Sequence, residues 1–159
     1  MLVLKKKVLI SLMSVGLISC SAFANDTKPA PPLTSVRVYS VTSTNCGTEL
    51  IDKNAMATTC DHGGEQLRVA VEEIGYGNNH PVAWLDDNEL PDSALYQTDT
   101  ICQEGGKEVS PCDAGYSVTG WMLYYNLDGK QGGYFEFQDT SMTVEKLNYA
   151  TLYTHLSIL

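Results

Sequence analysis

Positive charge is scarce in this chain: ten Lys and Arg stand against nineteen Asp and Glu, a formal charge of −9 at pH 7. A surface this acidic is repelled by phosphate backbones and by anionic lipid headgroups, so nucleic acid is not an expected partner. Its plainest consequence is solubility outside the cell. After residue 24 there is no apolar run long enough to cross a bilayer as a helix, so no transmembrane segment is expected in the mature chain. Histidine is scarcer still, with only His62, His80 and His155. Their spacing matches no ligand motif, and the cysteines lack the paired short C-x-x-C spacing of a zinc site, so neither metal nor cofactor is expected. The chain has no Gly-x-Ser-x-Gly elbow. No segment carries a sustained helical stripe between good caps.

At 159 residues, with 43% apolar and 18% charged, the composition suits one globular domain. The N-terminus reads as an address. Lys5, Lys6 and Lys7 precede a mostly apolar stretch from Val8 to Ser19, and Ala22-Phe23-Ala24 offers small residues for cleavage. Residues 1–24 are therefore expected to be a secretory signal. A second cut is legible at Leu17-Ile18-Ser19-Cys20, a lipoprotein-like box that would anchor the protein through a lipidated Cys20. The expected location is secreted or periplasmic, with that lipid anchor as the alternative. Loss of Lys5–Lys7 would leave seven basic residues against nineteen acidic ones. Residues 25–35, with Pro29, Pro31 and Pro32, read as an extended spacer. Residues 36–159 read as one domain.

Four further cysteines, Cys46, Cys60, Cys102 and Cys112, form an even set in a chain expected to be exported. Three pairings are open. The favoured one, Cys46–Cys60 with Cys102–Cys112, closes two short polar stretches, each worth roughly 3 kcal/mol by chain entropy.

From Val36 onward the periodicity is mostly two. Val36–Val41 is β-branched and aromatic, and Leu67, Val69 and Val71 alternate with Arg68, Ala70 and Glu72. Ser117–Asn126 places Thr119, Trp121, Leu123 and Tyr125 on one face and Val118, Met122 and Tyr124 on the other. Phe135 and Phe137 share a side, and Leu152, Leu156 and Ile158 lie opposite Tyr153 and His155. These patterns predict a mainly β protein, a single antiparallel β-sandwich or small barrel-like domain with two disulfides. Asp128-Gly129 between alternating runs predicts a hairpin joining two central strands. Val144–Leu152 is the one helix candidate. Gly75–Thr100 is irregular, and a loop of that length is either functional or hides short structure.

Sugar rings bind exposed aromatics set beside carboxylates and amides. Trp84 in the long loop is the leading contact, with Tyr76 and Tyr96 flanking and Asp86 and Asp87 adjacent. A second, polar candidate site is Asp61 and His62 with His80, since a carboxylate-oriented histidine can act as a base. Against it, neighbouring residues on a strand face opposite ways, and Gly63-Gly64 suggests a turn. The acids Asp86, Asp87, Glu89 and Asp92 could supply a carboxylate pair or oxygen ligands for calcium, though they do not follow the helical calcium-loop pattern.

Three stretches, Pro32–Tyr39, Cys60-Asp61-His62-Gly63-Gly64 with Ile74-Gly75-Tyr76-Gly77, and Cys112–Trp121, together resemble the YolA-like family of small secreted bacterial proteins. The resemblance implies export and a small domain. It brings no assigned reaction and no catalytic residues.

The leading functional expectation is a non-enzymatic module that binds a glycan or protein ligand outside the cytoplasm. A small hydrolase working through Asp/His or paired carboxylates is the first alternative. A secreted factor of phage, toxin or competition systems is the second. Oligomeric state is not legible here.

Overall fold

The computed structural model describes residues 31–78, 80–141 and 150–159. The expected leader at 1–24, residues 25–30 of the expected spacer and residues 144–149 of the helix candidate lie outside them. Ten strands follow in order: β1 Ser35–Ser43, β2 Gly47–Leu50, β3 Leu67–Ile74, β4 Val82–Leu85, β5 Asn88–Glu89, β6 Leu95–Glu104, β7 Lys107–Val109, β8 Val118–Asn126, β9 Gly133–Thr140 and β10 Thr151–Ile158. They form two sheets, ordered β2-β1-β3-β8-β6-β7 and β10-β9-β4-β5. Every strand pairing is antiparallel. The expected mainly β, antiparallel architecture is present, as two sheets rather than one closed barrel.

The core lies where the sheets face each other. Val38, Val41, Leu67, Val69, Val71, Leu123 and Tyr125 from the larger sheet meet Ala83, Leu85, Phe135, Phe137, Leu156 and Ile158 from the smaller. The Tyr125 ring stands 5.9 Å from Phe135 and 6.1 Å from Phe137, centroid to centroid. Each fully buried side chain of this size is worth roughly 1.5–3 kcal/mol. A bulge at Tyr39 shifts β1 against β3 between Val38 and Ser40, which keeps both Val38 and Val41 facing inward.

Both disulfides are the favoured ones. Cys46–Cys60 and Cys102–Cys112 have Cα separations of 6.2 Å and 5.6 Å. Two disulfides suit an oxidising, extracytoplasmic environment.

Three expectations are corrected. Asn126–Gly133 is not a hairpin, because β8 and β9 belong to different sheets. Leu127 is buried and its N–H donates to Leu67 O. Asp128 accepts from the Leu67 N–H at 3.0 Å and from Arg68 Nη2 at 2.6 Å. These bonds clamp the chain onto β3 and turn it out of the sheet, and Gly132 and Gly133 adopt φ of +93° and +132° on the way into β9. The long loop, secondly, holds β4, β5, a single 3-10 turn at Asp92–Ala94 and the start of β6. Trp84 is therefore a strand residue. Lastly, the end of the helix candidate, Thr151 and Leu152, is β10.

Candidate functional site

The smaller sheet buries one face and leaves the other open. On β9, Phe135 and Phe137 point into the core, so Tyr134, Glu136 and Gln138 point out. On β10 the same alternation turns Tyr153 and His155 outward, and on β4 it turns Trp84 outward. Register brings these residues together. Trp84 stands opposite Glu136, Glu136 opposite His155, and Gln138 opposite Tyr153. Tyr134 and Tyr153 are 38% and 48% exposed. Their rings flank His155 at 5.4 Å and 5.6 Å.

Trp84, Asp87, Glu136, Gln138 and Tyr153 line a shallow cleft of about 250 Å³ on this face. The Tyr153 hydroxyl donates to Glu136 Oε1. Burial, and then this bond to Glu136, raise the Tyr153 phenol above its ordinary range, so it stays a neutral donor. Asp86 and Asp87 form the two-residue turn from β4 to β5, both left-handed at φ of +50° and +62°. Asp tolerates that region better than most residues. The Asp86 carboxylate accepts the Tyr134 N–H at 2.7 Å, which ties the turn to β9 and leaves Asp87 free to face the cleft.

The other candidate residues are dispersed. Tyr96 lies on β6 with the Arg68 guanidinium 4.6 Å above its ring and the Tyr124 ring 6.2 Å away. Tyr76 follows β3 and meets Trp121 edge-on, with centroids 6.2 Å apart and planes at 89°. His80 is exposed at the mouth of a cavity shared with Tyr125. The three aromatics singled out from the sequence thus belong to different surfaces, and only Trp84 and Asp87 share the cleft.

Asp61 is exposed and His62 is 0% exposed. The carboxylate partner of His62 is Glu49, whose Oε2 lies 3.0 Å from Nε2, while Nδ1 is 3.0 Å from Ser43 Oγ. A serine, a histidine and an acid in a row look like a hydrolytic relay. Here both Ser43 and His62 are buried, and Ser43 Oγ also accepts the Cys46 N–H. The row is an internal lock beside the Cys46–Cys60 bridge.

A second concavity of about 360 Å³ opens beneath the segment after β3, walled by Tyr76, Pro81, Leu95, Trp121 and Leu123 with Glu73 among its lining. Glu73 comes from the inner face of the larger sheet and Asp139 from that of the smaller. Glu73 is 4% exposed and Asp139 2%. Glu73 Oε1, Asp139 Oδ2 and the Tyr125 hydroxyl are buried, with no hydrogen-bond partner among the described residues. Burial pushes the Glu73 carboxyl up to about 8, with the neighbouring Asp139 charge adding to the rise. Burial also raises Asp139, against the Thr140 N–H that donates to its Oδ1 at 2.6 Å. Two buried carboxyls this close titrate as a pair, one holding a proton while the other is charged.

Sequence reasoning missed Glu136, Gln138, Tyr134, Tyr153 and His155 as one surface, although their alternation with buried neighbours was visible. It had no signal for Glu73 and Asp139, which meet only because the inner faces of the two sheets oppose each other. Among the described residues no cluster of three or more His, Cys, Asp or Glu is placed to hold a metal ion, and no helix is long and apolar enough to cross a membrane.

The sequence model of a family described as a domain of unknown function, DUF4879, matches residues 28–158, so the chain belongs to that family. No curated protein and no solved structure matches the chain.

Proposed function

We propose that this member of the DUF4879 family is a secreted, non-enzymatic glycan-binding module, and that the open face of its smaller sheet is the binding surface. The observation that carries the reading is the gathering of Trp84, Tyr134, Tyr153 and His155 on one solvent-facing sheet, around a cleft edged by Asp87, Glu136 and Gln138. Aromatic rings offer apolar faces to the C–H side of a sugar, and carboxylates and amides accept or donate to its hydroxyls. The cleft lining includes two acids and no Lys or Arg. Together with the −9 charge of the chain, this favours an uncharged polysaccharide over an anionic one. A flat strand face suits an extended polymer better than a small ligand, which needs enclosure.

Export rests on the expected leader and on the likeness of Pro32–Tyr39, Cys60–Gly64 and Cys112–Trp121 to the YolA-like secreted proteins. The two disulfides support it. The test is co-sedimentation with insoluble neutral and anionic polysaccharides, read alongside tryptophan fluorescence. Trp84→Ala and Tyr153→Ala should each weaken retention by about tenfold or more while leaving the circular dichroism unchanged. Equal retention of both variants, or stronger retention on anionic polymers, would reject this surface.

A further inference from the structure

We infer that the concavity over Glu73 is a separate site for a compact primary ammonium carried on a small apolar body. It lies between the sheets, whereas the glycan face lies on the outer side of the smaller one, so the two claims stand or fall separately.

Three features converge. Glu73 is nine-tenths buried, lines the concavity, and keeps Oε1 without a partner among the described residues. Tyr76 and Trp121 stand edge to face at 89°, giving two aromatic walls set at a right angle. The rest of the wall is mostly apolar, from Pro81, Leu95 and Leu123, and the space of about 360 Å³ suits a ligand of a few heavy atoms.

Among the described residues Arg37 pairs with Glu72 and Arg68 with Asp128, and His62 hydrogen-bonds Glu49. None serves Glu73 or Asp139. Two buried carboxyls that share one proton still carry one negative charge, and a buried charge without a counter-ion is costly. A cation in the aromatic corner supplies that counter-ion and gains from the ring faces as well. A primary ammonium fits better than a quaternary one, because orphaned carboxylate oxygens need N–H donors.

The acid pair is also built in by the backbone. A Cβ on Gly77 would fall 1.5 Å from Asp139 Oδ2. Only glycine at position 77 lets that carboxyl lie against the chain that roofs the concavity. Asp139 sits behind Glu73, so Glu73 makes the direct contact and Asp139 holds part of the charge.

The experiment titrates butylammonium into the intact, disulfide-bonded protein and follows the Trp121 indole N–H by ¹⁵N–¹H NMR. Butanol and tetramethylammonium serve as neutral and quaternary controls. Butylammonium should bind at about millimolar concentrations and move the Trp121 signal, with butanol and tetramethylammonium at least about tenfold weaker. Glu73→Gln, which copies the protonated acid in shape, should lose at least about tenfold in affinity. Trp121→Leu should lose affinity with the acids intact. Glu65→Gln, at an exposed acid just before β3, should bind as wild type. The absence of any Trp121 shift with butylammonium would overturn the assignment. So would undiminished binding by a folded Glu73→Gln, or equal binding of butanol.

Discussion

His62 Nε2 lies 3.0 Å from Glu49 Oε2, and this bond joins β2 to the chain that returns through the Cys46–Cys60 bridge. Glu49 also accepts from the Thr59 N–H at 2.7 Å, the Thr59 hydroxyl at 3.0 Å and the Cys60 N–H at 3.2 Å. One carboxylate thus satisfies three donors of a short irregular segment in addition to the imidazole.

Acid should loosen this lock first. Partial burial works against the charge on Glu49, but the donors from Thr59, His62 and Cys60 outweigh it and hold the carboxyl at about 2, below its usual 4.5. A lowered folded-state value contributes stability above the unfolded value, and that contribution is lost as pH falls from about 4.5 toward 2. Urea unfolding across this range should show wild type losing on the order of 1–3 kcal/mol. Glu49→Gln should start less stable and lose less. Parallel curves for the two proteins would show that Glu49 is not the group responsible.

Alkali should act on the opposite pair. The Glu73 carboxyl is raised from 4.5 to about 8 by burial and by Asp139. A raised folded-state value stabilises the protein fully below the unfolded value, and the benefit disappears as pH rises through the folded one. The free energy of unfolding should therefore fall between about pH 4.5 and 8, by up to about 1.4 kcal/mol per pH unit, and the thermal unfolding temperature should fall with it. Glu73→Gln carries no titrating carboxyl, so its stability should be flatter across this window and exceed wild type near pH 9. Tyr125, whose phenol burial raises above its ordinary range, stays neutral throughout. A wild-type stability independent of pH from 5 to 9 would contradict this account.

The two turn aspartates should respond in opposite directions. Asp87 holds a φ of +62°, and glycine adopts that region without the Cβ penalty. Asp87→Gly should be neutral or stabilising by up to about 1 kcal/mol in urea unfolding. It should still weaken polysaccharide retention if Asp87 edges the binding cleft. Asp86→Ala also keeps a left-handed φ but loses the bond to the Tyr134 N–H. It should cost about 1–3 kcal/mol, since a backbone donor loses its partner. Equal effects at the two positions would mean that the Asp86–Tyr134 bond contributes nothing.

Much of the fold was legible because it is recorded in local alternation. Phe135 and Phe137 alternate with Tyr134, Glu136 and Gln138, and Leu156 and Ile158 with Tyr153 and His155. A period of two assigns faces without knowing which strands pair. The disulfides were legible for a similar reason, because each bridge closes a short local loop. The 75–100 stretch was harder. Its strands β4 and β5 span four and two residues, too short for periodicity to declare them, and β6, though ten residues long, does not alternate buried with exposed positions.

The candidate sites divide along the same line. Trp84 and Asp87 were accessible as an aromatic and an acid close in sequence, but their partners came from β9 and β10. The Glu49 partner of His62 lay on the far side of a strand turn, and adjacency suggested Asp61 instead.

Taken alone, the chain's pattern determined most of the strand content, the inward and outward sides of β3, β8, β9 and β10 and the acidic character, and it favoured the two cysteine pairs, because all of these follow from neighbours a few residues apart. Tertiary structure decided that β8 and β9 part into different sheets, that Tyr76 and Trp84 serve different surfaces, and that Glu73 meets Asp139 between the layers. Those outcomes depend on which distant hydrogen bonds and apolar faces satisfy one another, and only the folded chain brings them within reach.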